Sequence, residues 1–158
     1  MSPTNKIVIG ILGLPINRQH QFYLTRRDKP GKPAWHNKWQ VAGGGLEFGE
    51  TPEQTLVREM KEELQVDIKI IYPLPILNSQ VWFGSESDHE QNTQVILATY
   101  IIDIGTQTPK AEEDEETNAG GWFNYEEALA LDSLPLTPMI IKNAQEICNQ
   151  YSLWGMLQ

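Results

Sequence analysis

The chain has 158 residues, enough for one domain with its own core and too few for two comfortable ones. Hydrophobic residues make up 40%, with five Trp and five Tyr, which excludes a disordered chain. The net charge of −9 is unevenly spread: residues 1–40 carry seven Lys or Arg against one acid, and the remainder carries five against twenty. An acidic chain is a poor partner for a long nucleic-acid backbone, which needs a basic surface. A small polyanion can still bind if a divalent cation neutralises the acidic part and the basic segment meets the phosphates. No apolar run approaches the roughly 18 residues that span a bilayer. Met1 to Lys6 lacks the apolar core of a secretion signal, and the lone Cys148 leaves no disulfide framework. The expectation is a cytoplasmic protein with no membrane partner.

In chain order, Ile7 to Leu12 reads as a strand, followed by a turn around Pro15 to Gln19 and a second strand from Gln21 to Arg26. Pro30, Gly31 and Pro33 mark Arg27 to Lys38 as a loop. Trp39 to Ala42 is a short extended piece running into Gly43, Gly44 and Gly45. The clearest helix is Pro52 to Leu64: Thr51 is a natural N-cap, Pro52 suits the first helical position, and Gln54 completes a capping box with Thr51. Strands are expected at Asp67–Tyr72, Ser79–Phe83 and Thr93–Ile104, with a polar loop from Ser85 to Asn92. Thr106 to Gly121 reads as a loop carrying the acid run Glu112 to Glu116. A strand near Trp122–Phe123, a short helix at Tyr125–Leu131 and a last helix from about Thr137 to Tyr151 complete the chain, with Cys148 on the apolar face of the last. Strands interrupted by one helix, with helices at the end, predict an α+β domain layered around a mixed sheet.

The helix carries the chemistry. At about 100° per residue, Glu59, Glu62 and Glu63 share one face, while Leu56, Val57, Met60 and Leu64 form a core-facing stripe. Three clustered acids repel one another, and a divalent cation between them would explain the crowding. The glycine-rich approach from Gly43 lets backbone come close to a ligand, and a helix N-terminus offers free N–H groups to anions.

Gly44 to Val66 resembles the Nudix box: Gly44, five residues, Glu50, seven residues, Arg58-Glu59, the aliphatic Met60, one residue, Glu62-Glu63, one residue, a position usually Gly, and the aliphatic Val66. Gln65 stands at the position usually held by Gly, and Ala42 where the family normally has Pro. Gln65 in a left-handed conformation would cost roughly 1 kcal/mol, unless the chain leaves the helix differently. Leu24 to Arg27, Trp39 to Gly44, and Trp122-Phe123 followed by Glu126 to Leu129 look like flanking features of the same MutT-like family.

The resemblance implies an α/β/α arrangement, a mixed sheet sandwiched between helices, over one domain spanning residues 1–158. It also implies magnesium-dependent hydrolysis of a pyrophosphate bond in a nucleoside triphosphate or related nucleotide, with Mn²⁺ able to substitute. Glu59, Glu62 and Glu63 would be metal ligands, joined in some such sites by the Gly44 carbonyl. Arg58 would orient the glutamates and Glu50 would support the loop or metal shell. The proton acceptor is open between Glu62, Glu63 and an acid of the following run, Glu115 or Glu116. Arg26, Arg27 and Lys38 are candidates for substrate phosphates. Trp39, with Trp35, Tyr23, Trp82 and Phe83, is a candidate to stack a base. His20, His36 and His89 are assigned to no metal. The resemblance allows a homodimer. Two other classes compete: a Nudix-fold nucleotide-binding or regulatory module without catalysis, and a structural protein that binds calcium or magnesium.

Overall fold

In the computed structural model, residues 4–87 and 91–158 are described. His89 lies outside them. Among the described residues, eight strands and three helices form two sheets with helices packed on them. β1 (Asn5–Pro15) runs parallel to β7 (Asn92–Asp103) through the middle of the larger sheet. β4 (Ala42–Gly45) lies antiparallel to β1 on one side. β5 (Lys69–Ile70) and β6 (Ile76–Trp82) lie antiparallel to β7 on the other. A smaller antiparallel sheet has the order β3 (Trp39–Gln40), β2 (Phe22–Arg27), β8 (Thr117–Phe123).

Strand alternation separates two cores. Ile11 and, on β7, Ala98, Tyr100 and Ile102 face Leu56, Met60 and Leu64 of α1 (Pro52–Leu64). Leu14, Ile16 and Ile101 face the opposite way, onto Ile140, Ile141, Ala144 and Cys148 of α3 (Thr137–Gln150), beside α2 (Tyr125–Ala130). Burying each of these large side chains contributes roughly 2 kcal/mol of transfer free energy. The result is a mixed sheet between helices, α/β/α. Among the described residues no helix is long and apolar enough to cross a membrane.

Three expectations need correction. Thr117 to Gly121 is strand, not loop, because pairing with β2 from Arg27 to Leu24 supplies the hydrogen bonds that its Gly- and Asn-containing sequence does not advertise. Gly43 to Gly45 is likewise strand, paired with β1; the loop proper is Leu46 to Thr51. Val57, placed in the core stripe, is 56% exposed, because it lies at the outer edge of that stripe, and Thr55 is buried instead.

Candidate active site

The entry to α1 is built locally. Gln54 N donates to Thr51 Oγ1 at 3.2 Å and Thr51 N donates to Gln54 Oε1 at 2.9 Å, closing the capping box. Just before it, Glu50 accepts from Arg58 Nε and Nη2, from Thr55 Oγ1 (2.9 Å each) and from Glu47 N (3.2 Å). The Arg58 guanidinium, with these further bonds, holds the Glu50 carboxyl down at about 2. Arg58 in turn is held well above its ordinary value, chiefly by its bond to Glu50.

The same guanidinium reaches the acids of the helix. Its Nη1 donates to Glu59 Oε1 at 2.8 Å and to Glu62 Oε2 at 3.4 Å, and its Nη2 donates to the Gly45 carbonyl at 3.2 Å. Arg58 thus ties the loop, β4 and two carboxylates together.

Glu63 is the buried acid of the helix, 8% exposed, and its Oε2 accepts from Gly43 N at 2.8 Å. Burial pushes its carboxyl up to about 8; the Gly43 bond opposes this, and the charges of Asp114 and Glu59 add to it. Glu59 is also raised, first by burial, with Arg58 pulling down and Glu62 and Glu116 pushing up. Glu62 lies on the solvent side, its side chain 60% exposed. Two glycines permit this closeness. Gly43 has φ +148°, and a Cβ there would meet the Ile11 carbonyl. A Cβ on Gly44 would run into the Glu59 carboxylate.

Among the described residues no three His, Cys, Asp or Glu side chains stand together as a metal-holding group. The donor chemistry nonetheless suits a hard cation. All the candidates are oxygen donors, and Glu59 and Glu63 are carboxylates whose negative charge burial and crowding oppose, the deficit that a divalent ion would relieve.

A cavity of about 300 Å³ opens beside this end of the helix. Its floor includes Val8 and Leu12 of β1 with Val95 and Leu97 of β7. Its wall includes Trp35 and Trp82, whose rings lie 4.5 Å apart at 34°. Trp35 Nε1 donates to the Glu86 carbonyl at 2.7 Å, fixing the loop over the 3-10 turn Gly84–Glu86. Arg27, whose guanidinium sits 5.0 Å from the Trp35 ring, lines the cavity with Glu116 and with Gly43 to Gly45, so cavity and acid helix meet at β4.

Other candidates sit elsewhere. Arg26 Nε donates to Asn118 Oδ1 at 2.8 Å and its guanidinium lies 5.7 Å from the Trp39 ring, outside the cavity lining. Lys38 pairs with Asp132 at 2.8 Å. Trp39 packs edge-on against Phe123 at 4.9 Å. Tyr23 is buried against Trp122, its hydroxyl pushed up to about 12 by burial. Phe83 is 65% exposed. Glu115 is exposed and outside the cavity wall. His20 stacks on Trp154, and His36 Nδ1 accepts from Lys29 N and lies 3.6 Å from Asp28 Oδ1; neither lines the cavity. The sequence reading missed Asp114, whose charge acts on Glu63; its signal was its place in the acid run, three residues before the buried Thr117 that donates to it at 3.2 Å.

An acid-bearing helix laid on a glycine strand, with a cavity at the same end of a mixed sheet, defines an α/β/α protein with a carboxylate-rich site. A family model described as "NUDIX domain" matches residues 6–141, and the chain belongs to that family. It is 34% identical over 85 residues to an 8-oxo-dGTP diphosphatase of Escherichia coli (strain K12), covering 49% of this chain and 62% of that protein. It is 31% identical over 122 residues to the NAD-capped RNA hydrolase NudC of Pectobacterium atrosepticum, covering 73% of this chain and 40% of that protein. The chain therefore spans less than two thirds of the length of these relatives. A MutT protein of Methanosarcina mazei Go1 superposes with a TM-score of 0.69 over 92% of this chain and 98% of that one, at 19% identity, a likeness of fold.

Proposed function

We propose that this protein hydrolyses a pyrophosphate bond in a nucleoside diphosphate derivative, with a divalent cation, Mg²⁺ or Mn²⁺, as cofactor. The observation that carries the reading is the meeting of the Arg58-tethered carboxylates and the cavity along one glycine strand. Family membership supports it, as do relatives whose names describe hydrolysis of 8-oxo-dGTP and of NAD-capped RNA.

Glu59, Glu62 and Glu63 would hold the cation. When bound, it would neutralise phosphate oxygens and lower the pKa of a bound water. Arg58 spaces Glu59 and Glu62 through one guanidinium, and Glu50 fixes that guanidinium in place. Glu62 is the helix acid least committed to protein partners, so its carboxylate is assigned as the proton acceptor for the attacking water. Arg27, at the junction of cavity and acid helix, would meet a substrate phosphate, while the apolar floor and the Trp35–Trp82 pair would hold the base.

Phosphate release from a nucleotide panel with Mg²⁺ or Mn²⁺ tests the reading. Cleavage of at least one nucleoside di- or triphosphate derivative, abolished by chelation, is expected. Metal binding without cleavage of any of them would favour a structural metal protein, and nucleotide binding without cleavage a regulatory module.

A further inference from the structure

Gln80 sits on β6 two residues before Trp82, so both side chains point from the same face of the strand, and both line the cavity. Among the described residues the cavity has two side-chain amides, Gln40 and Gln80. Gln40 Oε1 accepts from Arg27 Nη1 at 3.4 Å, which ties it to the phosphate end. The Gln80 amide has no side-chain hydrogen bond among the described residues, and it is only partly buried. The hydroxyls of Ser87 and Thr93 beyond it are 2.8 Å apart and occupy each other. A partly exposed carboxamide beside an indole, with no side-chain partner among the described residues, is open to engage a ligand.

Its position fits one end of a nucleotide. β6, β7, β1 and β4 follow one another across the sheet at about 4.8 Å per strand, which places the Gln80 strand roughly 14 Å from the glycine strand. A nucleoside lying across these strands, with its phosphates at Arg27 and the acid helix, brings its base edge to Gln80.

We infer that Gln80 is a specificity-determining residue that reads the edge of the substrate's nucleobase through its carboxamide, with the base held against the Trp35–Trp82 pair. This rests on the nucleotide reading of the site. A carboxamide offers one donor and one acceptor side by side, whereas a carboxylate offers acceptors alone. Glutamate at this position therefore suits guanine, whose N1–H and N2–H₂ are adjacent donors, and repels the acceptor N1 beside the adenine amino group.

The test uses the full chain and the variants Gln80→Glu and Gln80→Leu. Hydrolysis of dATP, dGTP, dCTP and dTTP is measured with Mg²⁺, and binding of the four nucleoside monophosphates is followed by tryptophan fluorescence without metal. Thermal unfolding checks each variant. Gln80→Glu is expected to raise the guanine-to-adenine ratio of kcat/KM, and of binding, by about tenfold, and Gln80→Leu to flatten the base ratios. A structural role for Gln80 would lower all four substrates together and leave their ratios alone. Ratios within twofold of the parent's in the folded Gln80→Glu chain overturn the inference, as does failure of the parent to bind any monophosphate. Base-selective binding that shifts in Gln80→Glu, without hydrolysis by the parent, upholds Gln80 and sinks the hydrolytic reading instead.

Discussion

Arg58 grips Glu50 at both carboxylate oxygens, Nε to Oε2 and Nη2 to Oε1, each at 2.9 Å. They lie eight positions apart, so the pair staples the entry loop to the second turn of α1, and the remaining Nη1 holds Glu59 at 2.8 Å. A bidentate fork fixes direction as well as charge, which lysine cannot copy. Arg58→Lys and Arg58→Ala are both expected to lower kcat/KM on the order of 100-fold through misplaced carboxylates. Steady-state phosphate release checks this; a Lys variant at parental activity would show that the fork positions nothing.

The same pair sets an acid limit on the fold. The Glu50 carboxyl is held at about 2, below its ordinary 4.5. A lowered folded value stabilises above the unfolded value and is lost as pH falls through the folded one. Thermal midpoints should therefore decline between about pH 4.5 and pH 2, and the Glu50→Gln substitution should flatten that decline. Melting curves of the parent and Glu50→Gln across that range are the check, and parallel curves would contradict it.

Gly44 sits where a Cβ would run into the Glu59 carboxylate. Gly44→Ala should push Glu59 aside and cut activity at least tenfold, by displacing a group rather than removing it. Its circular dichroism should match the parent's. Full activity in that variant would mean the carboxylate has free room to move.

Gln65 ends α1 at φ 57°, ψ 41°, the left-handed conformation that the helix exit requires. Its Nε2 donates to Glu113 at 2.7 Å, but both side chains are exposed and that bond is worth little. Gln65→Gly should stabilise the chain by about 0.5–1 kcal/mol, a rise in Tm of about 1–4 °C, with activity retained. Thermal unfolding decides it, and a lower Tm would show that the Glu113 contact outweighs the backbone strain.

What the sequence made legible was local. Thr51, Pro52 and Gln54 mark the start of α1 because capping is decided within four residues. Glu59, Glu62 and Glu63 could be placed on one face by helical geometry alone. β8 was hidden, since Thr117 to Gly121 becomes strand through partners on β2, far away in the chain. The cavity was hidden for the same reason: Trp35, Gln80 and Glu116 come from three separate segments, and no spacing relates them. Lys38 and Trp39 looked like ligand groups by type, yet Asp132 and Phe123 occupy them. Burial of Glu63 under Gly43 follows from strand β4 crossing the helix, which no helical wheel contains.

The proposed function requires the helix carboxylates to hold a cation and activate water against a phosphate anhydride. The most direct measurement is phosphate release from the best nucleotide of a panel, with Mg²⁺ or Mn²⁺, for the parent, Glu62→Gln and Glu63→Gln side by side. Each substitution replaces a candidate ligand oxygen with an amide nitrogen and preserves shape, so both should lower kcat by about 1,000-fold or more while nucleoside monophosphate binding survives. Turnover in both variants equal to the parent's would contradict the assignment.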